Sequence, residues 1–210
     1  MNSTLKHKIV FLGAAIGWFA IIVQFVIMMQ NRVKSLTETT IRFFSYFTIL
    51  TNSLVALYFS VLWYQKPFLL LKRFEKPGFL TATTLYICTV GIVYQLLLRN
   101  LWEPTGMQKM VDEILHTIVP MYVILFWFFY ENKKAVSWKS IPLWLLYPLI
   151  YLVYILMRGQ LSGFYPYPFI DVDELGWEKV LQFCSLLFFT FSVVAIVLVG
   201  IGKFINPNKR

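Results

Sequence analysis

His116 stands in LHTIVPMYVILFWFFY, residues 115–130, an apolar run in which an ionisable side chain is costly and marks a functional site by default. Asp112 and Glu113 precede it by four and three residues, so on a helix either carboxylate can reach the imidazole from the neighbouring turn. Pro120, four residues later, lacks the amide that would bond the His116 carbonyl and leaves that oxygen available. In another apolar run Ser45, Thr48, Thr51 and Asn52 recur at steps that put them on one helical face. A threonine hydroxyl is a weak nucleophile by itself. Paired with a histidine base that a carboxylate orients, it becomes competent for acyl transfer. The same residue types also suit a helix–helix seam, with hydroxyls and amides bonding across neighbours or back to the preceding turn. Spacing leaves both readings open, and with them the question of whether Thr48 meets His116.

The elements that position these residues follow from composition. In 210 residues, 59% hydrophobic and only 14% charged, an integral membrane protein is the expected class. Six apolar stretches, at about 9–29, 43–64, 79–98, 110–130, 140–157 and 179–201, each approach the ~20 residues that a spanning helix needs. Alternating barrel-type strands are absent, so the expected fold is all-α: one domain, residues 1–210, forming a bundle of six transmembrane helices. The first stretch follows Lys6 and Lys8 like a signal peptide. It is longer than an h-region and lacks a small-residue cleavage site, so it reads as a permanent helix. Cys88 and Cys184 fall inside spans with no redox or metal spacing and read as buried thiols.

With six spans, the N-terminus, the loops 65–78 and 131–139 and the C-terminus share one side. That side carries 12 of the 19 Lys and Arg and two of the ten acids. The positive-inside rule then puts both termini in the cytoplasm of a multi-pass cell-membrane protein. The net charge of +9 suits anionic lipid head groups and does not argue for nucleic acid. In this topology Thr48 and His116 both lie about 7–9 Å below the outer end of their spans, at 1.5 Å per residue. Tyr94, Gln95 and Arg99 arrive at the same layer from the third span, and Tyr154 and Arg158 from the fifth. A polar pocket opening toward the outer leaflet is the expectation. Tyr147, Tyr151, Tyr154 and Arg158 form a row of hydroxyls ending in a cation, suited either to a carboxylate or phosphate head group or to an interfacial aromatic belt. The loop GFYPYPFIDVDELGW, residues 163–177, is read as a lid over the pocket, or as the source of Asp171 as a polar partner, or as a plain interfacial loop.

Three segments, FFSYFTILTN, LHTIVP and FYPYPFIDV, occur in this order on the second span, the fourth span and the last outer loop. In them the chain resembles the androgen-induced membrane protein family, and over most of its length that family's bacterial relatives. Characterised members hydrolyse fatty acid esters of hydroxy fatty acids with an intramembrane threonine and histidine. The resemblance carries these roles onto Thr48 and His116, with Thr51 as the alternative nucleophile, and it includes YPF at 167–169.

Only His7 and His116 are present, too few for a multi-histidine zinc hydrolase, and no Walker, GxGxxG or paired axial-histidine pattern occurs. No metal or cofactor is therefore expected. The expected activity is an intramembrane acyl-ester hydrolase acting on membrane lipids or fatty acid esters. In it Asn52, Gln95 or Tyr94 would stabilise the oxyanion, and Arg158 or Arg99 would hold a free acid end. The alternative is a non-catalytic lipid- or solute-binding protein or transporter component, against which the lack of repeats, broken helices or an inner polar path weighs. Oligomeric state is not read from this sequence.

Overall fold

The computed structural model describes residues 3–64, 74–101 and 103–205. Lys66, Lys72, Arg73, Lys209 and Arg210, which enter the charge balance above, lie outside the described residues. Seven principal helices succeed one another, with no strand among the described residues: α1 Ser3–Gln30, α2 Leu36–Phe43, α3 Phe47–Tyr64, α4 Phe79–Leu98, α5 Gly106–Tyr130, α6 Ile141–Ser162 and α7 Val172–Ile205. The six helices other than the short α2 are long and apolar enough to cross a membrane.

The core is built around α4, whose residues 80–91 are all buried. A helix covered on every side has no polar stripe, and α4 hides its threonines by turning them inward on its own backbone. Thr83, Thr84 and Thr89 donate to the carbonyls of Phe79, Leu80 and Leu85 at 2.8–2.9 Å. Small residues set the closest approaches. A Cβ on Gly17 of α1 would meet Ala56 of α3 at 2.9 Å, and one on Gly91 of α4 would come within 3.2 Å of the His116 carbonyl. At one end of α4, Glu131 accepts from the Thr81 amide and hydroxyl at 2.9 Å, and Trp127 Nε1 donates to the Thr81 hydroxyl at 2.9 Å. Lys133, only 5% exposed, donates to the last carbonyls of α5.

Two expectations need correction. The second span starts at Phe47, not at 43, because a separate helix precedes it. Ser35 caps α2, accepting from the Glu38 amide at 3.2 Å, and the sequence Ser-Leu-Thr-Glu has the spacing of a capping box. The chain then turns at residues 44–46. Ser45 is thus not on the α3 face; its hydroxyl donates to Ile41 and its carbonyl accepts from Tyr151 at 2.8 Å. The helices are also interrupted where unbroken ones were expected. At 94–98 in α4 and 114–118 in α5 the hydrogen bonds widen to i→i+5, as between the Arg99 amide and the Tyr94 carbonyl at 2.8 Å. Such wide turns inside α-helices are frequent at functional sites. In α7 the backbone breaks at Gly176, where φ is +74°.

Candidate active site

Thr48 is the second residue of α3. Amides in a first helical turn have no partner within the helix, and the aligned backbone dipoles favour negative charge there. The Thr48 amide donates instead to the hydroxyl of Tyr167, 3.3 Å away, from the loop between α6 and α7. The Thr48 hydroxyl lies 3.5 Å from the same Tyr167 oxygen and 3.4 Å from His116 Nε2. Thr48 is 7% exposed. Thr48 thus lies in the first turn of α3, whereas α5 begins at Gly106, well before His116.

His116 sits in the wide turn of α5, and its ring is fixed from three sides. Tyr94, in the matching wide turn of α4, stacks on it with centroids 4.1 Å apart and planes 13° from parallel. Nδ1 faces Asp112 Oδ1 at 3.1 Å and the Asp112 carbonyl at 3.0 Å. With two acceptors against Nδ1, the proton of the neutral imidazole belongs there, and the Nε2 lone pair is left facing Thr48. Tyr94 donates its hydroxyl to the other oxygen of Asp112, a 5% exposed carboxylate. Pro120 leaves the His116 carbonyl without its ordinary amide donor, and Gly91 lets α4 pass against it.

Asn52 ties the two helices together. Its amide donates to the carbonyl of Thr48 at 2.9 Å and to that of Leu115, beside His116, at 3.3 Å. It is thus engaged in holding the interhelical register. Thr51 is fully buried, but its hydroxyl makes no hydrogen bond to His116.

Several expected site residues lie elsewhere. Glu113, Gln95 and Arg99 form a separate cluster with Thr117: Gln95 donates to Thr117 at 3.0 Å, Thr117 to Glu113 at 2.8 Å, and Arg99 pairs with both Gln95 and Glu113. Three residues along a helix turn a side chain about 60° short of a full circle, which carries Glu113 off the face that Asp112 shares with His116. Tyr154 is 44% exposed, since the α6 row curves away: Tyr147 and Tyr151 pack against Phe47 while Tyr154 turns outward. Asp171 caps the first turn of α7, accepting from the amides of Asp173 and Glu174 at 3.0 and 3.1 Å. Arg158 pairs with Glu38 at 3.2 Å.

That ion pair latches the loop between α6 and α7. Glu38 also accepts from Arg42 at 2.7 Å, and the Arg42 and Arg158 guanidiniums lie 4.3 and 5.2 Å from the centre of the Phe164 ring, three residues before Tyr167. The Arg42 hydrogen bond, with Arg158 behind it, holds the Glu38 carboxyl below its ordinary range. A group depressed in the folded state contributes its stability above its unfolded value and loses it as pH falls through the folded one. Measured against the intrinsic amide rate at each pH, hydrogen exchange over residues 163–170 is therefore expected to quicken on acidification below the carboxylate range. Glu38→Gln should show the fast exchange already at neutral pH, and equal exchange in both proteins at every pH would remove the latch.

Two cavities meet at this site. One is walled by apolar side chains of α4, α6 and α7; the other, the roomier of the two, lies among α1, α3, α5 and the loops at that end. Thr48, His116 and Tyr167 line both. Tyr167 is the site residue whose role spacing could not supply. Its signals in the sequence were its place in a loop held by two prolines, Pro166 and Pro168, and the YPF segment at 167–169. Burial pushes its phenol up to about 12, so at neutral pH it remains a hydroxyl. Among the described residues, no three His, Cys, Asp or Glu side chains converge as a metal site would need. No protein-family model, curated protein or solved structure matches this chain.

Proposed function

We propose that this chain is an intramembrane hydrolase of acyl esters, with Thr48 as nucleophile and His116 as general base. The observation that carries the reading is the relay from the Thr48 hydroxyl to His116 Nε2 at 3.4 Å and from His116 Nδ1 to Asp112 at 3.1 Å, placed where two cavities join. Thr48 Oγ1 attacks the ester carbonyl as its proton passes to Nε2, and the alcohol leaves with that proton. Water, deprotonated by the same nitrogen, then cleaves the acyl-threonine ester to release the acid. Asp112 holds the imidazole in the required tautomer and stabilises the imidazolium. Asn52, Gln95 and Tyr94 already donate to Thr48 and Leu115, Thr117, and Asp112 respectively, so the oxyanion donor is better sought in Tyr167. Its oxygen accepts from the Thr48 amide, and its hydrogen, within 3.5 Å of Thr48 Oγ1 in the resting site, can turn onto the oxyanion that forms beside Thr48.

The membrane setting belongs to the same proposal: six spans in the cell membrane, both termini cytoplasmic, and the loops carrying Asn31, Leu101 and Pro166 on the outer side. The resemblance to the androgen-induced membrane protein family points to the same chemistry.

A fluorophosphonate probe on the purified protein tests the nucleophile. Labelling should map to Thr48 by mass spectrometry and disappear in Thr48→Ala and His116→Ala. Labelling that survives both substitutions, with no lipid ester cleaved, would make a lipid-binding protein the better account. Tyr167→Phe should cut kcat about 10²–10³-fold while moving KM little, as loss of one oxyanion donor does; an unchanged kcat would return Tyr167 to a purely structural cap.

A further inference from the structure

We infer that the two cavities divide the substrate at Thr48, the acyl chain filling the apolar one and an electrically neutral, hydroxyl- or amide-bearing alcohol half filling the other. This rests on the hydrolase reading and adds the substrate class. A carbonyl carbon within reach of Thr48 has two arms, and the site has two directions in which to place them. The cavity between α4, α6 and α7 is lined by residues such as Val93, Leu149, Leu152, Leu187 and Phe188. Leu149 and Phe188 are themselves 43% and 44% exposed on the outer surface of α6 and α7, so this cavity is flanked by the surface that faces lipid in the proposed topology. It suits a hydrocarbon chain arriving sideways from a bilayer.

The second cavity is lined at its mouth by Asn31, Leu101 and Pro166, from three loops gathered at one end of the helices. Gln24 and Gln108 also line it, joined by a hydrogen bond of 2.9 Å that leaves each amide with groups unused, and Asn31 donates to the Ile27 carbonyl while keeping its own oxygen free. No Lys or Arg lines this cavity among the described residues, and its acidic group is Asp112. Of the cations nearby in sequence, Arg42 and Arg158 pair with Glu38, Arg99 with Glu113 and Arg32 with the Met29 carbonyl at 2.8 Å, while Lys34 and Lys109 are not among the residues that line the cavity. A carboxylate or phosphate entering here would meet a buried acid and no counter-charge, whereas hydroxyls would meet amides that can both donate and accept. The free acid end expected to rest on Arg158 or Arg99 therefore has no holder in this cavity, and an ester of glycerol or a similar polyol is the better fit.

The test uses the full chain in lipid nanodiscs with two probes sharing one acyl chain: 1-monooleoylglycerol and the oleoyl ester of hydroxystearate, each with its non-cleavable ether counterpart for binding. The glycerol ester should be cleaved with kcat/KM about tenfold higher or more, and its ether should bind tighter by a similar factor. Gln108→Lys, which puts a cation into the cavity, should shrink both ratios toward one. Equal or better cleavage and binding of the hydroxystearate probes by the wild type would overturn the neutral-head assignment while leaving a hydrolase. If neither ester is cleaved but the glycerol ether binds preferentially and Gln108→Lys abolishes that preference, the cavity assignment stands and the hydrolase reading falls. The wild-type ratios decide the matter even if the variant fails to fold.

Discussion

Thr48→Ala is expected to lower kcat/KM toward any ester the protein cleaves by about 10³-fold or more, equivalent to roughly 4 kcal/mol of transition-state stabilisation. What remains would be the rate enhancement that binding and oxyanion donors provide without a nucleophile. The substitution removes a hydroxyl and a methyl group but leaves the Thr48 carbonyl on which Asn52 rests, so the α3–α5 register should persist. Thr48→Ser, which restores the hydroxyl, should recover most of the rate. Thr51→Ala is the informative companion. Its hydroxyl makes no bond to His116, so the loss expected there is one of packing, read as a lowered melting temperature rather than a collapse of kcat. If Thr51→Ala abolished turnover and Thr48→Ala spared it, the nucleophile would be misassigned.

Asp112→Asn should reduce kcat by about 10²–10⁴-fold with KM little changed, because an amide of the same shape can present its N–H to Nδ1 and force the imidazole proton onto Nε2, where it blocks proton uptake from Thr48. The same change also disturbs Tyr94, which donates to this carboxylate and stacks on the ring. Tyr94→Phe separates the two effects. It keeps the stacked ring, removes only the hydrogen bond, and should cost far less than Asp112→Asn. Glu113→Gln provides the contrast on the same helix: its partners are Arg99 and Thr117 on a part-exposed face, and exposed pairs of this kind contribute little. Comparable losses from Asp112→Asn and Glu113→Gln would mean that neither carboxylate orients the base.

Local relations were legible in the sequence, and distant ones were not. Six apolar stretches of near-spanning length predict the six long helices because hydropathy over about twenty residues is a property of each segment alone. That a carboxylate one turn away would reach His116 was likewise readable, since i and i+4 share a helical face in any surroundings. The choice between Asp112 and Glu113 was not, because it turns on which face of α5 looks at α4 and which at its exposed edge. The capping box Ser35–Glu38 was present in the sequence as the sign of a separate α2, but residues 43–47, Phe-Phe-Ser-Tyr-Phe, run on without a proline or glycine to mark the break. The wide turns at 94–98 and 114–118 left no mark beyond Pro120, because their hydrogen bonds answer to packing between α4 and α5.

By itself the sequence determined an all-helical chain with six apolar segments, a histidine among them with acids one turn away, and hydroxyl residues on a second helix. Tertiary structure alone decided which hydroxyl the histidine meets. Thr48 and His116 are 68 residues apart, and Thr48 and Tyr167 are 119 apart. Those contacts depend on where α3 begins, on the register that Asn52 locks between α3 and α5, and on a proline-held loop latched by Arg42, Arg158 and Phe164. Each is a balance of packing and hydrogen bonding among several elements, and no single segment carries it.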